Sequence, residues 1–164
     1  MKRGFTLIEI LVVVGIMAVL TAVGVASYNT IGDRAKAQQT AQLIATHLRS
    51  AQKDADAGVG TFKNGLPQCT KTDPFYGIQV SYAPSTITMT TLCGVNYSSV
   101  TSYPLRTVDL KLPSGVTVNW SGPVVFRSLS KTMSETIPTI TASTYGTNIY
   151  TLNITTSGGI NVSP

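Results

Sequence analysis

The sequence predicts an α+β protein in which a long N-terminal helix, with a membrane half and an amphipathic half, packs on an antiparallel β-sheet or small β-sandwich head. Three observations support this. Residues 5–27 are almost uninterruptedly apolar, residues 28–58 repeat apolar and small side chains in steps of three or four, and the chain from Thr61 onward is rich in Thr, Ser, Val, Ile, Tyr and Gly. The first two patterns are typical of helices and the third of strands. With 164 residues, the chain has room for one globular domain and an anchoring segment.

The apolar stretch 5–27 predicts a single membrane-spanning helix. About 20 apolar residues at about 1.5 Å each cross the core of a bilayer. Lys2 and Arg3 precede the stretch, which favours a cytoplasmic N-terminus. A cleaved secretory signal is the alternative, because small residues offer a cleavage site after Ala26. Glu9 argues against that alternative, since an ionised carboxylate inside a bilayer requires a partner.

The stretch KRGFTLIEILVVVGI resembles the prepilin signature of type IV pilins and type II secretion pseudopilins. In that family a prepilin peptidase cuts after the glycine, here Gly4, and the new N-terminal residue, here Phe5, is N-methylated. The resemblance implies that the Glu9 carboxylate pairs with the Phe5 α-amine of a neighbouring subunit. Such a pair relieves the cost of a lone charge inside a helical bundle.

The same resemblance implies partners and a location. The partners are other pilin or pseudopilin subunits, the prepilin peptidase/N-methyltransferase and the inner membrane. The protein is expected first in the bacterial inner membrane, N-terminus in and C-terminus out, and then in a periplasmic or extracellular fibre. The implied segments are a leader, a transmembrane assembly helix, an amphipathic helix half and a β-rich head, at 1–4, 5–27, 28–58 and 59–164.

Two further features refine the resemblance. Major pilins of the family carry a helix-kinking proline about twenty residues into the mature chain, at the helix-bending position. Here that neighbourhood reads TAVGVASYN, with Gly24 and no proline, which favours a minor subunit. The closing sequences VTVNWSGPVVFRSLSKT and NIYTLNITTSGGINV are similar to the heads of GspH/FimT-type pseudopilins, in which a strand ending in Phe, a polar loop and two last strands follow one another.

Residues 28–58 predict a continuation of the helix that ends at Gly58 or Gly60, because glycine commonly terminates helices. The alternative is two helices with a break near residues 29–32. Beyond Thr61, strands are expected at YGIQVSY, TITMTTL, TVDLKL, VTVNW, VVF, IPTITA, NIYTLNITT and GINV, separated by Gly- and Pro-containing turns. Trp120 and Phe126 are expected in the core.

The two cysteines, Cys69 and Cys93, are expected to form a disulfide if the N-terminus directs the head out of the cytoplasm. Two buried thiols in a reducing compartment are the alternative. The sequence has no CxxC pair and a single histidine, His47, in a predicted helix. We therefore expect no metal site and no cofactor, and we expect His47 at a solvated helix position.

A structural fibre subunit is the function that these features favour. A ligand-binding subunit at a fibre tip is the alternative, with DNA as the main ligand if Lys111, Arg127 and Lys131 meet in space. The net charge of +5 is too small to indicate nucleic-acid binding by itself. A monomeric membrane-anchored module would leave Glu9 unpaired. An enzyme is disfavoured, because the acidic residues are scattered and show no nucleophile–base set.

Overall fold

The structure of the chain is a computed structural model, which describes residues 6–59, 62–63, 66–127 and 137–164 and leaves out the side chains of residues 23–27, 62–63 and 66–67. It contains two compact units, Met1–Ala35 and Lys36–Pro164. The predicted α+β class is confirmed, since one long helix precedes antiparallel sheets. The domain boundaries expected at residues 27 and 58 stay predictions.

Helix α1 runs without a break from Leu7 to Asp56, so the alternative of two helices is wrong. Its end is built by Gly58, which has a φ of +65°. The Val59 N–H donates to the Asp54 carbonyl at 2.8 Å and the Gly58 N–H donates to the Ala55 carbonyl at 3.1 Å. This pair of bonds is a Schellman motif, which needs the left-handed conformation that glycine adopts without strain. The predicted end of the helix at Gly58 is confirmed.

In the described part of the chain, ten strands follow the helix: β1 Phe62–Lys63, β2 Leu66–Pro67, β3 Phe75–Ala83, β4 Thr86–Cys93, β5 Thr101–Asp109, β6 Val116–Trp120, β7 Val124–Arg127, β8 Ile140–Thr144, β9 Tyr150–Ile154 and β10 Ile160–Ser163. A short 3₁₀ turn at Tyr97–Ser99 separates β4 from β5. One four-stranded sheet has the order β5-β4-β3-β7 and is here called the β3 sheet. The other has the order β10-β9-β8-β6 and is called the β8 sheet, and β1 and β2 form a ribbon of their own.

The strand predicted at residues 107–112 is displaced in the structure. Strand β5 starts at Thr101 and ends at Asp109. The Leu110 N–H donates to the Ser85 carbonyl at 2.6 Å, and the chain then turns. The apolar alternation that suggests a strand to residue 112 therefore begins in β5 and continues into a loop, in which Leu110 is buried. Pro104 concealed the true start, because proline is tolerated only at the edge of a sheet or at a bulge.

Side chains from α1 and from both sheets form one hydrophobic core. The face of α1 that enters this core consists mainly of alanine: Ala37, Ala41, Ile44, Ala45, Leu48, Ala51 and Ala55. Phe126 is buried, as predicted, whereas Trp120 is only partly buried and packs against the margin of the core. The Trp120 ring stacks on Tyr82 with ring centroids 5.6 Å apart.

Within the described residues, no stretch of helix is both long and apolar enough to cross a membrane. The predicted span 5–27 extends at both ends into residues whose side chains lie outside the description.

Candidate functional site

About the first four turns of α1 expose an apolar surface. From Leu7 to Leu20 its large aliphatic side chains are between 47% and 83% exposed. We call this the N-terminal apolar surface, and its large side chains are Leu7, Ile8, Ile10, Leu11, Val12, Val13, Val14, Ile16, Met17, Val19 and Leu20. A helix that is apolar all round is stable only when lipid or other protein surrounds it. Covering these side chains is worth on the order of 10–20 kcal/mol.

Glu9 lies in the first turn of α1. Its N–H donates to the Thr6 carbonyl at 3.1 Å, with the Thr6 hydroxyl at 3.4 Å. Threonine followed three residues later by glutamate is a capping-box sequence at a helix start, and a carboxylate there interacts favourably with the helix dipole. Among the described residues, the Glu9 carboxylate has no ion-pair partner. The chain thus presents one acidic group at the end of an otherwise apolar surface.

Two grooves run along the N-terminal apolar surface, and both include Gly15. One, of about 720 Å³, extends from Thr6 to Gly15, and the other, of about 430 Å³, extends from Leu11 to Leu20. Apart from its two chain neighbours and the adjacent helix backbone, a Cβ placed on Gly15 would meet no described atom within 4 Å. The missing side chain therefore leaves room for close approach by another helix, as small residues do in packed membrane helices.

The processing residues expected from the sequence, Gly4 and Phe5, lie outside the described residues. The geometry of the predicted cleavage site and of the Phe5 amine therefore stays a prediction. Glu9 is the described member of the three.

In the head, two arginines connect α1 to the two sheets. Arg49 of α1 donates to the Ile160 carbonyl in β10 at 2.7 Å. Arg106 of β5 donates to the Ser50 hydroxyl at 3.1 Å and to the Asp54 carboxylate at 3.2 Å. Strands β10 and β5 are the outermost strands of the β8 sheet and the β3 sheet. Each sheet is therefore joined to the helix by a charged hydrogen bond at its edge.

His47 lies on the same stretch of α1 and is half-buried, not fully solvated as expected. Its pKa is lowered from the ordinary value of 6.5, first by burial and then by the positive charge of Arg106. The neutral imidazole is therefore the form that the folded head favours. No group of three or more His, Cys, Asp or Glu side chains in the described part of the chain could hold a metal ion.

Cys69 and Cys93 form a disulfide, which confirms the predicted pairing. The bond joins the end of β4 to the segment before β3, across a sequence separation of 24 residues. Near that end of the sheet, the Arg127 guanidinium lies 4.9 Å from the centre of the Tyr76 ring. Arg127 is one of the candidate DNA-binding residues, and this cation–π contact places one face of its guanidinium group against Tyr76.

The three candidate DNA-binding residues do not form one described patch. Arg127 lies opposite Gly77, near the start of β3. Lys111 follows Leu110, whose N–H bonds to Ser85 just beyond the end of β3. At about 3.3 Å per strand residue, the two positions are separated by about 25 Å. Lys131 lies outside the described residues.

No motif in the sequence predicts a role for Arg49 or Arg106. Their acceptors are 111 residues away for Arg49 and 56 and 52 residues away for Arg106. No local pattern reports contacts at such distances along the chain.

Comparison with known proteins identifies the family. Residues 1–25 match the model of the prokaryotic N-terminal methylation motif. Prepilin peptidase-dependent protein D of Escherichia coli (strain K12) is similar to this chain, with 32% identity over 108 residues that cover 63% of this chain and 73% of the relative. No solved structure matches the chain. The chain belongs to the family of type IV pilins and pseudopilins.

Proposed function

We propose that the protein is a minor pilin or pseudopilin, a structural subunit that assembles through its N-terminal helix into a type IV pilus-like fibre or a type II secretion pseudopilus. The observation that carries this proposal is the N-terminal apolar surface with a single carboxylate, Glu9, in its first turn. Packing against the same helix of neighbouring subunits would cover that surface. No catalysis is part of the proposal.

Before assembly, lipid would cover the same surface. Residues 5–27 would insert into the inner membrane, with Lys2 and Arg3 on the cytoplasmic side, as cationic flanks favour. The helix would then leave lipid for a bundle of identical or related helices. Because both environments are apolar, the transfer needs specific contacts to give it direction.

The Glu9 carboxylate would supply one such contact. After cleavage behind Gly4, the new α-amine of Phe5 would carry a positive charge a few residues from Glu9 of its own chain and within reach of Glu9 in a neighbour. Burying both groups as a pair avoids the cost of an isolated buried charge. A single charged pair in an apolar interface also fixes the register between helices, as buried polar groups do in coiled coils.

The methylation motif supports processing by a prepilin peptidase/N-methyltransferase, and the name of the Escherichia coli relative states such a dependence for that protein. The absence of a proline near Gly24 supports a minor role, and the β6–β7 and β9–β10 sequences support the GspH/FimT subtype. The proposed segments are those expected from the sequence, 1–4, 5–27, 28–58 and 59–164.

Mass spectrometry of the N-terminal peptide, from protein made in its own cells, tests the proposal. A chain that begins at N-methylated Phe5 is the expected result. Gly4→Leu should leave the precursor uncut, while Gly15→Ala, a glycine change outside the cleavage site, should leave processing unchanged. A wild-type chain that begins at Met1 or Ser27 would refute the fibre-subunit proposal.

A further inference from the structure

The two sheets end in four outer strands, and two of them, β5 and β10, carry features that hinder the addition of another strand. Strand β5 contains Pro104 and a bulge beside it, both of which discourage pairing. The described part of β7 covers four residues and ends at Arg127, beside residues outside the description. In β10, the Ile160 carbonyl already accepts the hydrogen bond from Arg49. These are the devices with which natural proteins block the edges of sheets.

Among the described residues, β6 has neither the proline and bulge of β5 nor, as in β10, a side chain bonded to its outward backbone groups. Its sequence, VTVNW, contains no proline and no charge, and it pairs with β8 without a bulge. The hydrogen bonds at the two ends of the pairing show which backbone groups of β6 bond to β8. The Tyr145 N–H donates to the Gly115 carbonyl and the Ser121 N–H donates to the Thr139 carbonyl, each at 3.1 Å. The backbone N–H and C=O groups of residues 115, 117, 119 and 121 therefore point toward β8, because every second residue of an antiparallel strand bonds to the same neighbour.

The backbone groups of Val116, Val118 and Trp120 consequently point away from β8. The Val116 N–H is taken by the Pro113 carbonyl at 3.1 Å. Within the described residues, no strand pairs with the outer side of β6. Val118 thus offers both a donor and an acceptor on that side, and Trp120 continues the row at the spacing of a strand.

A groove of about 430 Å³ borders this side of β6. Val116, Thr117 and Val118 line it together with Tyr82, Pro84 and Leu112, and none of its described lining residues belongs to β8. Tyr82 lies in the last part of β3, beyond Val80, where the pairing of β3 with β7 ends. The groove therefore lies between the outer side of β6 and a length of β3 that β7 does not cover.

We propose that this groove, here called the β6 groove, binds an extended segment of a partner protein, which adds to β6 as an antiparallel strand. The described lining carries no Asp, Glu, Lys, Arg or His, so the segment that it fits is uncharged. Alternating residues of that segment would place apolar side chains beside Val118 and Tyr82, and neutral polar side chains outward. Recognition by strand addition takes its affinity from main-chain hydrogen bonds and its specificity from such alternate side chains.

The test uses the full chain, isotopically labelled, in detergent micelles. The probe is a blocked synthetic peptide of alternating threonine and valine, followed by nuclear magnetic resonance of the backbone amides. We expect the Val118 and Trp120 amide signals to shift and their hydrogen exchange to slow by about tenfold or more. A peptide of the same sequence with N-methylated valines keeps the side chains but loses ladder donors, and it should not bind.

Two matched variants locate the site. Val118→Pro removes an outward N–H from β6 and should weaken peptide binding about tenfold. Val162→Pro makes the same change in β10, where Val162 is also a partly buried edge valine, and should change binding by less than about twofold. The N-methylated peptide keeps the proposal testable on the unaltered chain if Val118→Pro does not fold.

Three results would overturn the proposal. The first is no binding of the alternating peptide, and the second is equal binding of its N-methylated form, which would indicate an apolar pocket instead of strand addition. The third is a concentration-dependent shift of Val118 without peptide, which would assign the β6 groove to a second copy of this chain.

Discussion

The guanidinium of Arg49, in the helix, donates a hydrogen bond of 2.7 Å to the main-chain carbonyl of Ile160, in the last strand. The pattern of hydrogen bonds between β9 and β10 explains why that carbonyl is available. The Thr155 N–H bonds to the Gly159 carbonyl at 2.8 Å. The backbone groups of residues 159, 161 and 163 therefore point toward β9, and those of Ile160 point away from it. Arg49 thus satisfies an acceptor that the sheet leaves unpaired.

Arg49→Ala should destabilise the head by about 1–2 kcal/mol, because a charged hydrogen bond to an otherwise unpaired carbonyl is lost. Urea unfolding followed by Trp120 fluorescence measures the change. Lys53→Ala, which removes an exposed cation from the same helix, is the control and should change stability by less than about 0.5 kcal/mol. Equal effects of the two variants would mean that the bond to Ile160 contributes nothing to stability.

The stability of the head should fall as the pH drops below about 6.5, because the pKa of His47 is lowered in the folded state. Between the folded pKa and the unfolded value of 6.5, the unfolded chain binds more protons, so lower pH favours unfolding. The contribution is fully present above pH 6.5. Thermal melts from pH 7.5 to 5 measure it, and His47→Gln should flatten the slope in that range. An unchanged slope in the variant would assign the pH dependence to other groups.

Reduction of the Cys69–Cys93 disulfide should cost about 3 kcal/mol, as expected for a loop of this size. The double variant Cys69→Ser, Cys93→Ser should show the same loss in denaturant unfolding without reductant. Reductant should then have no further effect on the variant. A variant as stable as the oxidised wild type would show that the bond is not a stabilising element.

Glu9→Ala should insert and be processed normally but enter fibres at least about tenfold less than wild type, since the proposed partner of the Phe5 amine is removed. The measurement is the ratio of fibre to membrane protein in quantitative immunoblots. Thr21→Val is the matched control. It also removes a polar group from the exposed part of α1, but the Thr21 hydroxyl donates within its own helix, to the Met17 carbonyl at 2.7 Å. Normal incorporation of the Glu9 variant would refute the pairing.

Gly15→Leu should also lower incorporation, because a leucine would fill both grooves of the N-terminal apolar surface. Leucine has a higher helix propensity than glycine, so the helix itself should not be weakened. Val19→Leu enlarges a side chain that already stands beside one of these grooves, and it should have a smaller effect. Similar losses for the two variants would mean that Gly15 is not a point of close approach between helices.

Local features of the fold were predictable from the sequence, and distant contacts were not. The end of α1 at Gly58 follows from glycine's conformational freedom, and β6 is predicted because VTVNW is a strand-like run between two turn signals. The limits of β5 were missed for two reasons. Pro104 is a residue disfavoured inside strands, and the buried Leu110 follows the strand instead of belonging to it. The disulfide could be anticipated because the N-terminus favours export of the head from the cytoplasm, and two cysteines allow only one pair. The partners of Arg49 and Arg106 depend on tertiary packing, on which sequence periodicity is silent.

The candidate site divides in the same way. The N-terminal apolar surface and its one carboxylate come from consecutive residues, so Glu9 could be identified from the sequence. The β6 groove could not, because its lining comes from β3, β6 and the loops beside them, and its open side depends on which strands pair. Which backbone groups of a strand remain unbonded depends on the assembled sheet and not on the sequence of the strand alone.

The single core shared by α1 and both sheets has a consequence for how the head unfolds. Neither sheet has a complete apolar interior of its own, because residues from the other sheet and the alanine face of α1 complete it. Melting one sheet would expose the inner face of the other, so the head is expected to unfold as one cooperative unit. Folding is correspondingly non-local. The first element along the chain is bonded to the last strand, because Arg49 and Ile160 are 111 residues apart in the sequence.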